Sequence, residues 1–273
     1  MVNVRWTGAA GLEFTHDGKT WLIDPYHSRP GLGEILFGPL KVKQDVVDNY
    51  INTLPGELQA IVIGHTHFDH VLDMPEILKL FQGPVIGSKS METLLRMYGL
   101  SGRVTICKGG ETHELPGGAE VTMIPSKHGK VLLGRVPYPG EVEPGQTPPL
   151  KAAAYRLGTI FAPKLTIGGI TFIHAGSANL VDEELSKHTC DVLFMCLPGW
   201  KRTPDYHRRM IEATKPRIIV PFHFDNFSKA WSATMTAPDL PFQGIDRFME
   251  ILRETAPAAE IIWPTTNKVM PFN

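Results

Sequence analysis

The stretch Ile61-Val62-Ile63-Gly64-His65-Thr66-His67-Phe68-Asp69-His70 constrains this chain more than any other. An apolar run ending in Gly reads as a strand over 60–64, buried on both faces. Its end delivers three imidazoles and one carboxylate within six residues, in a chain of 273 residues that holds only 11 His. Such nitrogen and oxygen donors suit Zn²⁺ and similar divalent ions. In extended backbone, residues two apart face the same way, so His65 and His67 can grip one ion. Asp69 and His70, at the start of the following turn, can reach a second. A buried strand feeding a loop is a rigid base for ligands of this kind.

The remaining pattern suits a layered α/β chain. Short β-leaning runs are expected over 2–6, 12–16 and 19–23, the last two joined by an Asp17-Gly18 turn, which tolerates the positive φ of a tight hairpin. Residues 28–44 read as a Gly- and Pro-rich loop. Helical spacing appears over 74–81, with Pro75 in the first turn, and over 88–98, with Ser88 or Ser90 as cap. Further strands are expected over 104–107, 120–124, 152–157, 169–173, 192–196, 217–220 and 260–263, and helices over 204–214 and 245–255. Five prolines between Arg135 and Pro149 exclude a helix or a central strand there. A long loop in a compact chain is usually functional, and this one is expected to form a pocket wall. No repeat or linker divides the chain, so a single domain over 1–273 is expected.

Three more segments place a polar residue after a strand: Ile23-Asp24-Pro25, Pro125-Ser126-Lys127-His128-Gly129 and Ile219-Val220-Pro221-Phe222-His223. With the cluster at 65–70, they resemble in order and spacing the motifs of the metallo-β-lactamase superfamily, whose signature is His-x-His-x-Asp-His. The resemblance spans essentially the whole chain. Its early Asp-Pro is most similar to the branch with ascorbate-6-phosphate lactonase and the N-acylphosphatidylethanolamine phospholipase D type. The resemblance implies a four-layer αβ/βα sandwich with metals at one edge between the sheets. It implies one ion on His65, His67 and His128 and another on Asp69, His70 and His223. Asp69 would be the catalytic residue, orienting a metal-bound hydroxide. One or two divalent ions are expected, Zn²⁺ first, with Mn²⁺ or Fe²⁺ as alternatives.

The sequence departs from that pattern at one point. Where members carry a bridging Asp, Phe172-Ile173-His174-Ala175-Gly176-Ser177 presents Ser177, a neutral hydroxyl. Asp225, two residues past His223, is the candidate replacement ligand. Asp24 is expected to orient a ligand imidazole. Arg29, Tyr138 and Trp200 are candidate substrate contacts, and Lys201, Arg202, Arg208 and Arg209 form a small basic cluster. His174 reads as a hydrogen-bonded strand residue, and His16, His113, His188 and His207 as surface residues.

The expected function is a metal-dependent hydrolase acting on an ester, lactone or phosphodiester. Its substrate is expected to be a small molecule, with an anionic one as an option. The competing readings are a metal-binding protein with a decayed catalytic site and a di-iron redox protein. The redox reading is weakened by His67, because such members usually carry Glu there. A formal charge of -1 gives no basic excess, so no nucleic-acid partner is expected. Hydrophobic residues at 42% exclude a disordered chain. Cys107, Cys190 and Cys196 lack metal-type spacing and read as reduced core thiols of a cytoplasmic protein. The first residues hold no apolar signal core and no run is long enough to span a membrane.

Overall fold

A computed structural model describes residues 1–131, 133–229, 240–241 and 243–273. Among these, two seven-stranded sheets face one another. In spatial order the first holds Val269–Phe272, Val2–Gly8, Gly11–His16, Lys19–Ile23, Glu57–Val62, Val85–Gly87 and Val104–Ile106. The second holds Glu260–Ile261, Ile218–Phe222, Val192–Cys196, Ile170–Ala175, Phe161–Ile167, Ala119–Pro125 and Thr112–Leu115. Each sheet is antiparallel on one side and parallel on the other.

The layers follow from which side chains each strand buries. Phe14 from the first sheet meets Phe172 and Phe194 from the second, with ring centroids 5.1 and 6.1 Å apart. The opposite face of the first sheet carries Leu22, Ile61 and Val85, which pack under the helices Gln44–Asn52, Met74–Leu80 and Lys89–Met97. The second sheet is covered by Tyr206–Thr214 and Ile245–Thr255 through Tyr206, Met210, Phe248 and Leu252. Parallel strands are therefore buried on both faces, which is why Val192–Cys196 is apolar throughout. The result is the expected helix–sheet–sheet–helix sandwich.

Local signals account for most element ends. Asp17 and Gly18 both have positive φ in the tight turn between paired strands. The Ser88 hydroxyl accepts from the Met91 amide and caps its helix. Pro75 sits in the first turn of Met74–Leu80, where its missing N–H costs nothing. Other expectations need correction. The loop expected over 28–44 contains the helix Leu32–Phe37, and Gln44–Asn52 follows it. The strand expected over 152–157 is a single 3₁₀ turn, Ala152–Ala154, while Phe161–Ile167 is a strand. No described helix is long and apolar enough to cross a membrane.

Strand pairing builds the site. Ile23 and Val62 are partners in neighbouring parallel strands, and the Asp24 amide donates to the Val62 carbonyl at 3.0 Å. Asp24 and the 64–70 loop therefore leave the sheet together. In the second sheet Ser177 and His223 follow the ends of two strands that flank Val192–Cys196. Ligands commonly gather at the carboxyl ends of parallel strands, because the loops diverge there.

Candidate metal centre

Two groups of side chains gather at this edge. His65, His67 and His128 each offer a nitrogen, and these atoms lie within 4.8 Å of one another. Asp69, His70 and His223 form a second group, their ligand atoms also within 4.8 Å of one another. The rings of the first group stand nearly perpendicular in pairs. His65–His67 is at 4.8 Å and 82°, His67–His128 at 4.8 Å and 74°, and His65–His128 at 5.1 Å and 84°. His65 and His70, one from each group, have ring centroids 3.7 Å apart.

Each ring is aimed by a partner behind it. His70 Nδ1 lies 2.7 Å from Asp24 Oδ2, whose other oxygen accepts from the Gly64 amide at 2.7 Å. The orienting role expected of Asp24 matches this contact. A Cβ on Gly64 would come within 3.0 Å of that carboxylate, which explains the Gly between strand and ligands. His67 Nε2 meets the Pro137 carbonyl at 2.9 Å, so the Pro-rich loop holds a candidate ligand as well as walling the pocket. His128 Nδ1 faces the Gly129 carbonyl at 2.6 Å. His223 and Asp24 both have positive φ, 63° and 48°, as the chain turns sharply off each strand. Strain of this kind collects at functional sites.

The protonation states of the first group suit cation binding. Burial pushes His67 down to about 3 and His128 down to about 4, aided in His67 by the neighbouring His128. Burial and the surrounding imidazoles likewise hold His65 well below its ordinary value. Burial alone would raise the Asp69 carboxyl, yet His70, His223 and His67 hold it below the usual carboxylate range. The first group thus offers neutral nitrogens and the second an ionised carboxylate. The buried His65 Nε2 has no hydrogen-bond partner among the described residues. A buried polar atom of that kind is costly unless something pairs with it. The donor set therefore fits divalent ions.

These depressed values carry a stability consequence. The unfolded chain takes up protons at His67 and His128 below about pH 6.5, while the folded metal-free chain does so only near 3 and 4. Stability therefore falls as pH drops through that window, by up to ~1.4 kcal/mol per pH unit for each imidazole. Urea midpoints of metal-free protein between pH 7 and 5 should decline accordingly. A constant midpoint would mean that the rings are charged in the folded state.

Several sequence candidates are placed differently from expectation. Asp225 joins neither group. Its Oδ1 accepts from the Ala9 amide at 2.8 Å and its Oδ2 accepts from Arg29 at 2.7 Å. Both side chains of that ion pair are fully buried, so Arg29 is unavailable to a substrate. Gly8 makes room for it, since a Cβ there would stand 1.8 Å from the guanidinium. Trp200 donates to the Gln243 carbonyl and packs on His207 and Phe248, beside the central cavity but not in its wall. His207 is accordingly buried, not at the surface. Tyr138 does line the cavity. Ser177 Oγ accepts from the Gly129 amide at 3.0 Å and so secures the loop that carries His128. His174 meets the Ala10 carbonyl at 2.8 Å, as expected of a strand histidine. The role of Pro137 was not legible in the sequence, because a backbone carbonyl leaves no residue-type signal.

A cavity of about 360 Å³ opens over both groups. The family model of the beta-lactamase superfamily domain matches residues 20–225, and the chain belongs to that superfamily. The UPF0173 metal-dependent hydrolase of Anaeromyxobacter sp. (strain K) is 27% identical over 82% of this chain and 75% of its own. Igni18, a metallo hydrolase from Ignicoccus hospitalis, superposes with a TM-score of 0.62 at 16% identity, covering 100% of this chain and 99% of its own. CmlA, a diiron beta-hydroxylase from Streptomyces venezuelae, gives a TM-score of 0.66 at 17% identity over 99% of this chain and 54% of its own. At these identities the two structures attest the fold alone. With the superfamily, the relatives and the His/Asp groups together, the chain is a metal-dependent hydrolase.

Proposed function

We propose that the protein hydrolyses a small carboxylic ester or lactone, with a phosphodiester as the alternative, over the His65–His67–His128 and Asp69–His70–His223 groups. The observation that carries this reading is the pair of donor groups on the floor of one cavity. Ions held there, Zn²⁺ foremost, supply Lewis acidity and lower the pKa of water. The protein's own contribution is positional. Asp24, Pro137 and Gly129 fix three imidazoles before any substrate arrives. Ionised Asp69 accepts a hydrogen bond from the attacking water and orients its oxygen toward the carbonyl carbon. That oxygen bonds to the carbon, the carbon–oxygen bond to the leaving group breaks, and the departing alkoxide takes the proton that the water gives up through Asp69. Acid and alcohol result. The Asp24 contact supports kinship with the branch containing ascorbate-6-phosphate lactonase and the phospholipase D type, without assigning either activity. The three buried free thiols support a reducing, cytoplasmic setting.

Zinc-loaded protein assayed on carboxylic esters, lactones, β-lactams and bis-p-nitrophenyl phosphate should hydrolyse an ester or lactone fastest. Chelation should abolish that activity and added Zn²⁺ should restore it. Tight metal binding without turnover on any member of the panel would favour a decayed site instead, a reading that Ser177 supports.

A further inference from the structure

We infer that the substrate carries an uncharged aliphatic group, which is seated in the cavity above the two donor groups. This rests on the hydrolase reading and narrows its substrate class. The first observation is the charge of the wall. Among the described lining residues there is no Lys or Arg, and Asp69 is the one carboxylate. An anionic group seated against this wall, away from ions held at the donor groups, would lose water with no protein cation to replace it. The cations foreseen from the sequence lie elsewhere. Arg29 is buried against Asp225, Arg209 pairs with Asp182, and Lys201 and Arg202 line an adjoining cavity.

The second observation is the apolar character of the wall. The helix Leu32–Phe37 contributes Leu32, Ile35 and Leu36, and Val131, Phe227 and Leu240 also line the cavity. Two polar groups of the wall are engaged within the protein. Asn226 Oδ1 accepts from the Ser228 amide and hydroxyl, and Ser177 Oγ accepts from the Gly129 amide. Leu32 and Leu36 remain 62% and 60% exposed on a helix that has no buried residue of its own. An aliphatic chain whose carbonyl rests beside Asp69 and whose tail leaves between these leucines would cover this exposed apolar surface.

A matched pair of metal-seeking ligands tests this without turnover. Acetohydroxamate and octanohydroxamate share a headgroup and differ by six methylenes. Each buried methylene contributes roughly a factor of four. With half of them buried, zinc-loaded protein should bind octanohydroxamate about sixtyfold more tightly by titration calorimetry. Leu36→Glu, at an exposed position that leaves the core intact, should cut that preference about tenfold. Equal affinity for the two ligands, or a preference untouched by Leu36→Glu, would overturn the aliphatic substrate and leave the hydrolase reading standing. Binding of neither ligand to protein shown to hold zinc would overturn both.

Discussion

His67→Ala should eliminate chelator-sensitive hydrolysis and release an ion from the three-imidazole group. His67 stands between His65 and His128, with ring centroids 4.8 Å from each, so its removal leaves two nitrogens where three converge. It is also the point where the Pro-rich loop is tied to the centre through the Pro137 carbonyl. Turnover should fall by ~10³-fold or more, the scale expected when a main source of transition-state charge stabilisation is lost. Metal analysis should show one ion fewer per chain, with the far-ultraviolet circular dichroism unchanged. Retention of full activity would remove His67 from the working site and, with it, the proposed pairing of donor groups.

Asp225→Ala should act on stability and leave the metal count alone. Read from the sequence, Asp225 was the candidate to replace a missing bridging carboxylate, and its loss would have cost an ion. In the fold its oxygens are committed to Arg29 and the Ala9 amide. The substitution strands a fully buried guanidinium whose Nε and Nη1 already lack hydrogen-bond partners among the described residues. Breaking a buried pair from one side typically costs ~3–5 kcal/mol. For a chain of this size that lowers Tm by roughly 10 °C. The double variant Asp225→Leu/Arg29→Met should recover part of the loss, since an apolar pair of similar volume leaves no buried charge. A drop of one ion per chain in Asp225→Ala at unchanged Tm would restore the ligand role.

The donor cluster was legible because it combines local signals. A run of apolar residues marks a buried strand, and strand ends project side chains predictably. The same logic placed Asp24 behind an imidazole and found the helices Met74–Leu80 and Lys89–Met97 from their caps and spacing. It failed where the signal is not local. Phe161–Ile167 contains Pro163 and Lys164 and lacks a strand-like pattern of its own, yet it pairs with strands on both sides. Leu32–Phe37 begins after Pro30 and Gly31, which read as loop punctuation, and no residue in it is fully buried.

By itself the sequence determined the class of chemistry. Imidazole and carboxylate donors after an apolar strand specify a metal centre through residue type and spacing, which need no knowledge of the rest of the chain. Only the tertiary structure decided which charged groups face that centre. Arg29 and Asp225 are 196 residues apart and neutralise one another in the interior. The cavity above the donor groups is left with leucines, two phenylalanines and no Lys or Arg among its described residues. A charge in sequence has no address, because pairing and burial depend on contacts between distant segments, and those contacts determine whether it meets a substrate, an ion or its own opposite.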